Sequence, residues 1–469
     1  MDITEIKRNK NLVQKKLSAV NEDFLEFVAK NPDTLKRSNF KAMELSDPLF
    51  SLQPWPTFIS RKTQKAFADA SEKLCNLVKR IPKRVFNNDP YKISNYFGVP
   101  ATVVKLQLDG FTDDHIDNLL ARGDFIVSST GIKCLEFNVT ANIGGLMTPK
   151  WEFLSLNTPV LSKFFKEYKV KTKNENLLSL LLEHLIRPLG KYSGDSADKE
   201  INIALVVERF VEVDKENSTG KYLNELYKEL LARKGKSLKG EVFICDYQHL
   251  KVVGDYVFFR DKKIHALLER YHGVVPPSIQ EVFKSGNVIV YNGPITNLLS
   301  NKLSLAVLSD YDAFDPHAFS AEEKEIIDTY VPWTRRIAPG GTFYGKEKID
   351  NLEDFILSNR ETLIIKPGRG LGGDGVCVGR KSTKEEWEEA VKTAYRKKGW
   401  LVQEFVESAV GLYQCGESGC DLHDMVWGFF VFGSRYTGEG LRVMPQKVGK
   451  GVLNCHQGAT ISVVFLVDE

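Results

Sequence analysis

The chain has 469 residues, 42% of them hydrophobic and 27% charged, with a formal net charge of +3. At ~100–200 residues per domain that length suggests two to four lobes. A charge so near neutral argues against a nucleic-acid binder, and no apolar run approaches the ~20 residues that cross a bilayer.

The first stretch, MDITEIKRNKNLVQKKL, is charged and lacks the apolar centre of a signal peptide. The seven cysteines are odd in number and dispersed, unlike a disulfide framework. A reduced, cytoplasmic protein is expected. Residues 1–95 read as helical, because NEDFLEFVAKN and TQKAFADASEKLCNLVKRI carry apolar residues at helical spacing. Strands are expected over 100–140. Helical patterns then flank the apolar run INIALVV, and the short β-rich runs EVFICD, YVFFRD and NVIVYNG follow. That alternation predicts an α/β (α+β) fold. Further strands, TLIIKP, GVCVG, WLVQEFV, MVWGFFVFG and ISVVFLV, fill 361–469.

Residues 122–138, RGDFIVSSTGIKCLEFN, form the most informative stretch. Taking Ser129-Thr130-Gly131 as a three-residue loop closed by a glycine pairs Ser128 with Ile132, Asp124 with Glu136 and Arg122 with Asn138. The last two pairs then share one face, while Phe125, Val127, Leu135 and Phe137 share an apolar one. A two-residue loop would shift the register by one and mix the faces. Directly opposed carboxylates destabilise a strand pair, and a divalent cation offsets that. Mg2+ takes carboxylate and phosphate oxygens, Asn138 adds a carbonyl oxygen, and Arg122 suits phosphate. On this reading Asp124→Asn stabilises the metal-free protein. The alternative is a solvated face with Arg122 as an ordinary ion-pair partner.

ETLIIKPGRGLGGDGVCVG sets Lys366 at the end of a strand, then Gly368, Gly370, Gly372, Gly373 and Gly375 before a second strand. Glycines let backbone N–H groups approach an anion, and the lysine adds a point charge. The lysine precedes the glycines and no helix opens after them, so this is neither a P-loop nor a dinucleotide fingerprint. A flexible hairpin loop is the alternative. WLVQEFVES, ending in Gln403-Glu404, suits a hinge whose backbone reads an adenine edge while Glu407 reaches a ribose; by itself it is also an ordinary buried strand. CGESGCDLH brings Cys415, Cys420 and His423 together without an evident fourth zinc ligand, and a Gly-rich loop is the favoured reading.

A strand lysine, a Gly-rich hairpin loop and a QEFV-type hinge together resemble the ATP-grasp family. LEFN resembles its metal-binding Glu-x-Asn, here placed before the hinge. That order is similar to circularly permuted members: eukaryotic-type glutathione synthase, the glutathionylspermidine synthetase domain and bacterial circularly permuted ATP-grasp proteins. RGDF…LEFN is close to the Arg-x-Asp-Phe…Glu-x-Asn pattern of the synthetase-like branch. NVIVYNGPITNLLSNKLSLAVL resembles the segment that supplies a second ATP lysine, here Lys302. MVWGFFVFG…GEGLRVMP resembles the closing strands that bring an arginine, here Arg442, to the phosphates. TYVPWTRRI and GVLNCHQGA resemble the entry to the ATP lobe and a terminal Gly-rich turn. The likeness covers about 100–469 and is weakest over 140–240. Gly370 stands where glutathione-synthase-type members carry a metal-contacting glutamate, with Asp374 or Asp424 as possible substitutes. The Asp-Thr-Pro run of the synthetase branch is missing.

The resemblance implies a circularly permuted ATP-grasp fold, with central substrate- and metal-binding lobes over 96–335 and a nucleotide lobe with a Gly-rich lid over 336–469, beyond a helical N-terminal extension over 1–95 that rests on the helical spacing alone. It implies an ATP- and Mg2+-dependent carboxylate–amine ligase working through an acylphosphate. Asp124, Glu136 and Asn138 would hold one or two Mg2+ ions. Lys302 and Lys366 would hold the α- and β-phosphates, with Gly368, Gly370, Gly372 and Gly373 closing over them. Gln403, Glu404, Phe405, Val406 and Glu407 would hold the nucleoside, and Arg122 and Arg442 the transferring phosphoryl group. The implied partners are a small carboxylate and an amine, amino acids or a peptide among them, with no nucleic acid and no membrane; a homodimer is the commonest symmetric assembly. The alternatives are a phosphotransferase and a non-catalytic nucleotide-binding protein. Arg335 and Arg336 read as surface residues, or else as contacts for a substrate carboxylate.

Overall fold

A computed structural model of the chain describes residues 12–31, 51–188, 200–207, 218–234, 238–270, 275–370, 372–416, 419–447 and 451–468. They form a mixed α/β protein with several sheets, and none of the described helices is long and apolar enough to cross a membrane. The largest sheet runs in the order Leu52–Ser60, Thr460–Val467, Arg435–Pro445, Gly419–Phe432, Leu120–Ser128, Gly131–Asn138. Val410–Cys415 pairs with the first half of Gly419–Phe432. Pairing is antiparallel except between Leu52–Ser60 and Thr460–Val467.

The expectation of helix throughout 1–95 does not hold at Leu52–Ser60, a buried strand at the sheet's end. Its register slips between Gln53 and Thr57. Pro54 and Pro56 fall there and cannot donate to the ladder, which suits an edge strand. The strand runs directly into the helix Arg61–Arg84, where the Ser60 hydroxyl accepts the Thr63 backbone N–H and caps the first turn. Phe67 of that helix stacks 4.4 Å from Phe429, which stacks 4.6 Å from Phe125. Each buried ring contributes roughly 1.5–3 kcal/mol. This stack fixes which way the hairpin faces: Phe125 is held in the core, so its neighbour Asp124 must point to the other side.

The hairpin pairs Arg122 with Asn138 and Asp124 with Glu136, as the sequence predicts, but its turn differs. Ser128 pairs with Gly131, leaving a two-residue loop, and the register shifts between Asp124 and Phe125 so that Phe125 faces Cys134. A bulge at Leu135 absorbs the one-residue slip. Cys134 therefore takes the core position expected of Leu135, and Leu135 joins Glu136 in lining a cavity.

Two smaller sheets flank this one. Thr334–Arg336, Trp400–Glu404, Leu363–Pro367 and Cys377–Val378 form an antiparallel sheet. Ile289–Tyr291, Ala266–Arg270, Ile203–Val207 and Val242–Cys245 form a parallel one. Three strands of the parallel sheet read as continuous apolar runs, as strands covered on both faces do, and the fourth, Ala266–Arg270, ends in Glu269 and Arg270.

Candidate functional site

Between the large sheet and the small antiparallel sheet lies a cavity of about 470 Å3. The hairpin contributes Arg122, Asp124, Glu136 and Asn138 to its wall. Later segments contribute Lys302, Lys366 and Arg442. Asp124 is buried and doubly clamped. Arg122 donates from Nε to Oδ1 at 2.7 Å and from Nη2 to Oδ2 at 3.0 Å, and Arg442 Nη2 reaches Oδ2 at 2.8 Å. Burial alone would raise the Asp124 pKa, but the two guanidinium groups hold it well below the usual carboxylate range. Arg122 lies across Gly428, the residue opposite Asp124 on the next strand. A Cβ at Gly428 would come within 2.8 Å of Arg122 Cδ, so glycine there gives the arginine its path.

Glu136 meets Lys302 Nζ at 3.3 Å and accepts the Asn138 amide at 3.2 Å. Lys302 also donates to the Gly370 carbonyl at 2.9 Å, tying the glycine loop to the hairpin's acid. Lys366 is buried and donates to Gln403 Oε1 at 2.7 Å and to the Leu135 carbonyl at 3.3 Å. Burial lowers its pKa to about 8, with Lys302 adding to the effect and Glu136 opposing it. The inner cluster thus holds Arg122, Lys302, Lys366 and Arg442 against Asp124 and Glu136, four positive charges less two negative, a formal +2. An excess of cations around a buried pair of carboxylates suits a polyanion such as a phosphate chain.

The opposed carboxylates are thus offset by arginine and lysine; the sequence offered a metal or an Arg122 ion pair for this and did not include Lys302 or Arg442. Among the described residues no group of three or more His, Cys, Asp and Glu side chains is set to hold a metal ion. The donor chemistry still fits Mg2+. Three N–H groups occupy Asp124 and two cationic or amide groups occupy Glu136. A carboxylate offers about four lone-pair sites, so both acids retain oxygen capacity, and the Asn138 amide stands beside them.

The hinge residues divide. Gln403, Glu404, Phe405 and Val406 line the cavity; Glu407 does not. Glu407 is exposed and paired with Arg380, whose guanidinium lies 4.6 Å over the Phe405 ring. Gln403 acts through its side chain, holding Lys366 with Oε1 and donating from Nε2 to Thr334 Oγ1 at 3.0 Å. The backbone N–H groups of Glu404 and Phe405 are engaged by the Trp333 and Thr362 carbonyls, both at 2.8 Å. Ile126, Leu135, Ile364 and Val426 give this part of the cavity apolar walls on both sides.

In the glycine loop, Gly370, Gly372 and Gly373 line the cavity, and Gly368 does not. The Gly368 N–H donates to the Gly399 carbonyl, and its own carbonyl accepts the Lys302 N–H, both at 2.9 Å. A Cβ there would meet Asn301 Oδ1 and the Gly399 carbonyl at 2.6 Å, so Gly368 is a close-packed joint. Gly373 has φ of +86° and touches the C-terminal turn at Val452. Asp374 and Asp424 both line the cavity; Asp424 accepts from Gln446 at 2.8 Å, and burial raises its pKa.

Arg335 and Arg336 do not line this cavity. Arg335 is buried, meets Asp310 at 3.1 Å and donates to Ser309 and Phe343 carbonyls, so it pins the small sheet's edge. Arg336 donates to the Asn95 carbonyl at 3.0 Å and lies over Tyr96. Cys415, Cys420 and His423 fall on the two strands of one hairpin, where Gln414 faces Cys420 and Gly411 faces His423. Sequence reasoning missed Arg369, Lys381 and Asn301, which line the cavity. The first lies inside the glycine loop and the last beside Lys302, so proximity to those motifs was the available signal. Lys381 sits beyond the second strand, and only the fold brings it in. Set against models of known protein families and against curated proteins, the sequence matches none.

Proposed function

We propose that this chain is an ATP-dependent carboxylate–amine ligase of the circularly permuted ATP-grasp type. One observation carries the reading: acids from an early hairpin and cations from three later segments meet in one cavity between the large sheet and the small antiparallel sheet. The apolar walls around Ile126 and Ile364 suit an adenine, and the +2 cluster suits its phosphates.

In the proposed reaction a substrate carboxylate oxygen attacks the γ-phosphorus of ATP, and the bond to the β-phosphate oxygen breaks to release ADP. The amine then attacks the acylphosphate carbonyl, and phosphate leaves from the tetrahedral intermediate. The work required is positioning and charge neutralisation. Lys302 and Lys366 hold the phosphate chain. Arg122 and Arg442, already converged on Asp124, are placed to turn toward the transferring phosphoryl group. Gln403 keeps Lys366 directed into the cavity. The glycine loop, tied to Lys302 through the Gly370 carbonyl, excludes water that would hydrolyse the acylphosphate. Mg2+, when bound through Asp124, Glu136 and Asn138, supplies further neutralisation of the phosphate oxygens.

The test is ADP release with Mg2+ and pooled amino acids, with products read by mass spectrometry. A joined product with ADP supports the ligase. ADP with a stable phosphorylated acid and no joined product makes the chain a phosphotransferase. ADP binding without any turnover makes it a non-catalytic nucleotide binder.

A further inference from the structure

A larger chamber, of about 810 Å3, adjoins the phosphate-facing cavity and shares Arg122, Asn142, Gly372, Arg442 and Asn454 with it. Its walls are mainly apolar, with Met147, Trp151, Leu205, Ile244, Phe430 and Leu441 among them. It meets the carboxyl ends of the parallel strands at Val207 and Arg270, the end of such sheets where ligands bind. Beside the exposed Lys150, two charged groups in it stand apart from the phosphate cluster, Arg270 and Glu439. Arg270 has its Nε buried with no hydrogen-bond partner, and the guanidinium makes no ion pair among the described residues. Burial lowers its pKa, and among the described residues no neighbouring carboxylate opposes the shift. Glu439 faces the same chamber, accepts the Tyr436 hydroxyl, and has its pKa raised to about 7 by burial. A guanidinium with a buried, unpartnered Nε and no carboxylate partner among the described residues suits an anion brought into the chamber.

We infer that this chamber takes the amine substrate as an amino acid with an apolar side chain, its carboxylate forked by Arg270 and its amino group turned toward Glu439. The inference rests on the ligase reading for the word substrate, and on Arg270 for the chemistry. A guanidinium matches a carboxylate bidentately, the apolar walls accept the side chain, and a carboxyl titrating near neutrality can accept the ammonium proton that must leave before the amine attacks.

The test is calorimetry on the full chain, with L-phenylalanine and L-leucine against phenylalaninamide and leucinamide, and with ADP–Mg2+ titrated separately. The expected result is that the free acids bind about tenfold or more tightly than the amides. Arg270→Leu should erase that preference, leave ADP affinity unchanged, and leave the ligand-free protein at least as resistant to urea. Arg270→Lys, which keeps the charge but not the fork, should retain part of the preference. Acids and amides binding alike, neither binding, or a preference that survives Arg270→Leu would overturn the inference. Loss of ADP binding by the wild-type chain with the amino-acid preference intact would instead sink the ligase reading alone.

Discussion

Asp124→Asn reverses the sign that hairpin reasoning alone assigns to it. From the sequence, removing one of two opposed carboxylates relieves repulsion. In the fold, Asp124 is the counter-ion of two guanidinium groups, with its side chain 5% exposed and those of Arg122 and Arg442 22% and 17% exposed. An asparagine keeps one acceptor oxygen but turns its N–H2 toward a guanidinium, and the inner cluster goes from a formal +2 to +3. Removing one partner of a buried, hydrogen-bonded pair costs about 3–5 kcal/mol, so the ligand-free variant should lose stability of that order in urea unfolding at pH 7. The pH dependence carries its own sign. A carboxyl depressed in the fold binds fewer protons folded than unfolded, so its contribution is complete above the unfolded value of about 3.9 and fades as the pH falls below it. The gap between wild type and variant should therefore close on acidification below about pH 4. Inorganic tripolyphosphate, by replacing the missing anion, should stabilise the variant more than the wild type. A variant as stable as the wild type at pH 7, or more so, would refute the double-arginine clamp as the source of Asp124's compensation.

Glu136→Ala should lower ADP release by about a hundredfold or more, measured with the amino-acid pool. Retention of activity within about tenfold would remove Glu136 from the machinery. Lys366→Ala should mainly weaken ADP binding by calorimetry. In the wild type, ADP affinity should fall as pH rises through about 8, where burial sets the loss of the Lys366 proton; a flat profile across that range in wild type, or a slope kept in Lys366→Ala, would count against it. Gln403→Leu should leave the buried ammonium without its 2.7 Å acceptor, lowering the pH at which that affinity is lost while the fold, read by circular dichroism, is retained.

The hairpin shows how far sequence alone reaches. Alternation fixed the faces, and the pairs Asp124–Glu136 and Arg122–Asn138 follow from it. The turn did not, because a bulge at Leu135 compensates for a loop one residue shorter, and two such slips cancel beyond the bulge. Leu135 as a core residue was the casualty: leucine is apolar on either side of a sheet, and alternation cannot see a bulge. Arg122 as a partner of the acids was open to the sequence, but the part Arg442 plays was illegible for a different reason. Arg442 is remote from Asp124 in the chain, and only the pairing of Arg435–Pro445 with Gly419–Phe432, and of that strand with Leu120–Ser128, brings it near.

The strand Leu52–Ser60 and the hinge mark the same limit at two scales. Two prolines in LQPWPTFIS argue against a central strand, and the chain resolves this by using the segment at the sheet's end, with the register slip where they fall. In the hinge, QEFV was read for its backbone, as an adenine-facing edge, with Glu407 beyond it. Two of its N–H groups are already taken by Trp333 and Thr362, so the segment's firmest contribution comes from a side chain. Gln403 links Lys366 to Thr334 across adjacent strands of the small sheet. A glutamine with its oxygen on an ammonium and its nitrogen on a hydroxyl is satisfied at both ends, which is what a buried amide requires. That requirement also explains why the lysine remains directed into the cavity: without Gln403, burial would favour the neutral amine still more strongly, and the charge needed for a phosphate would be lost first.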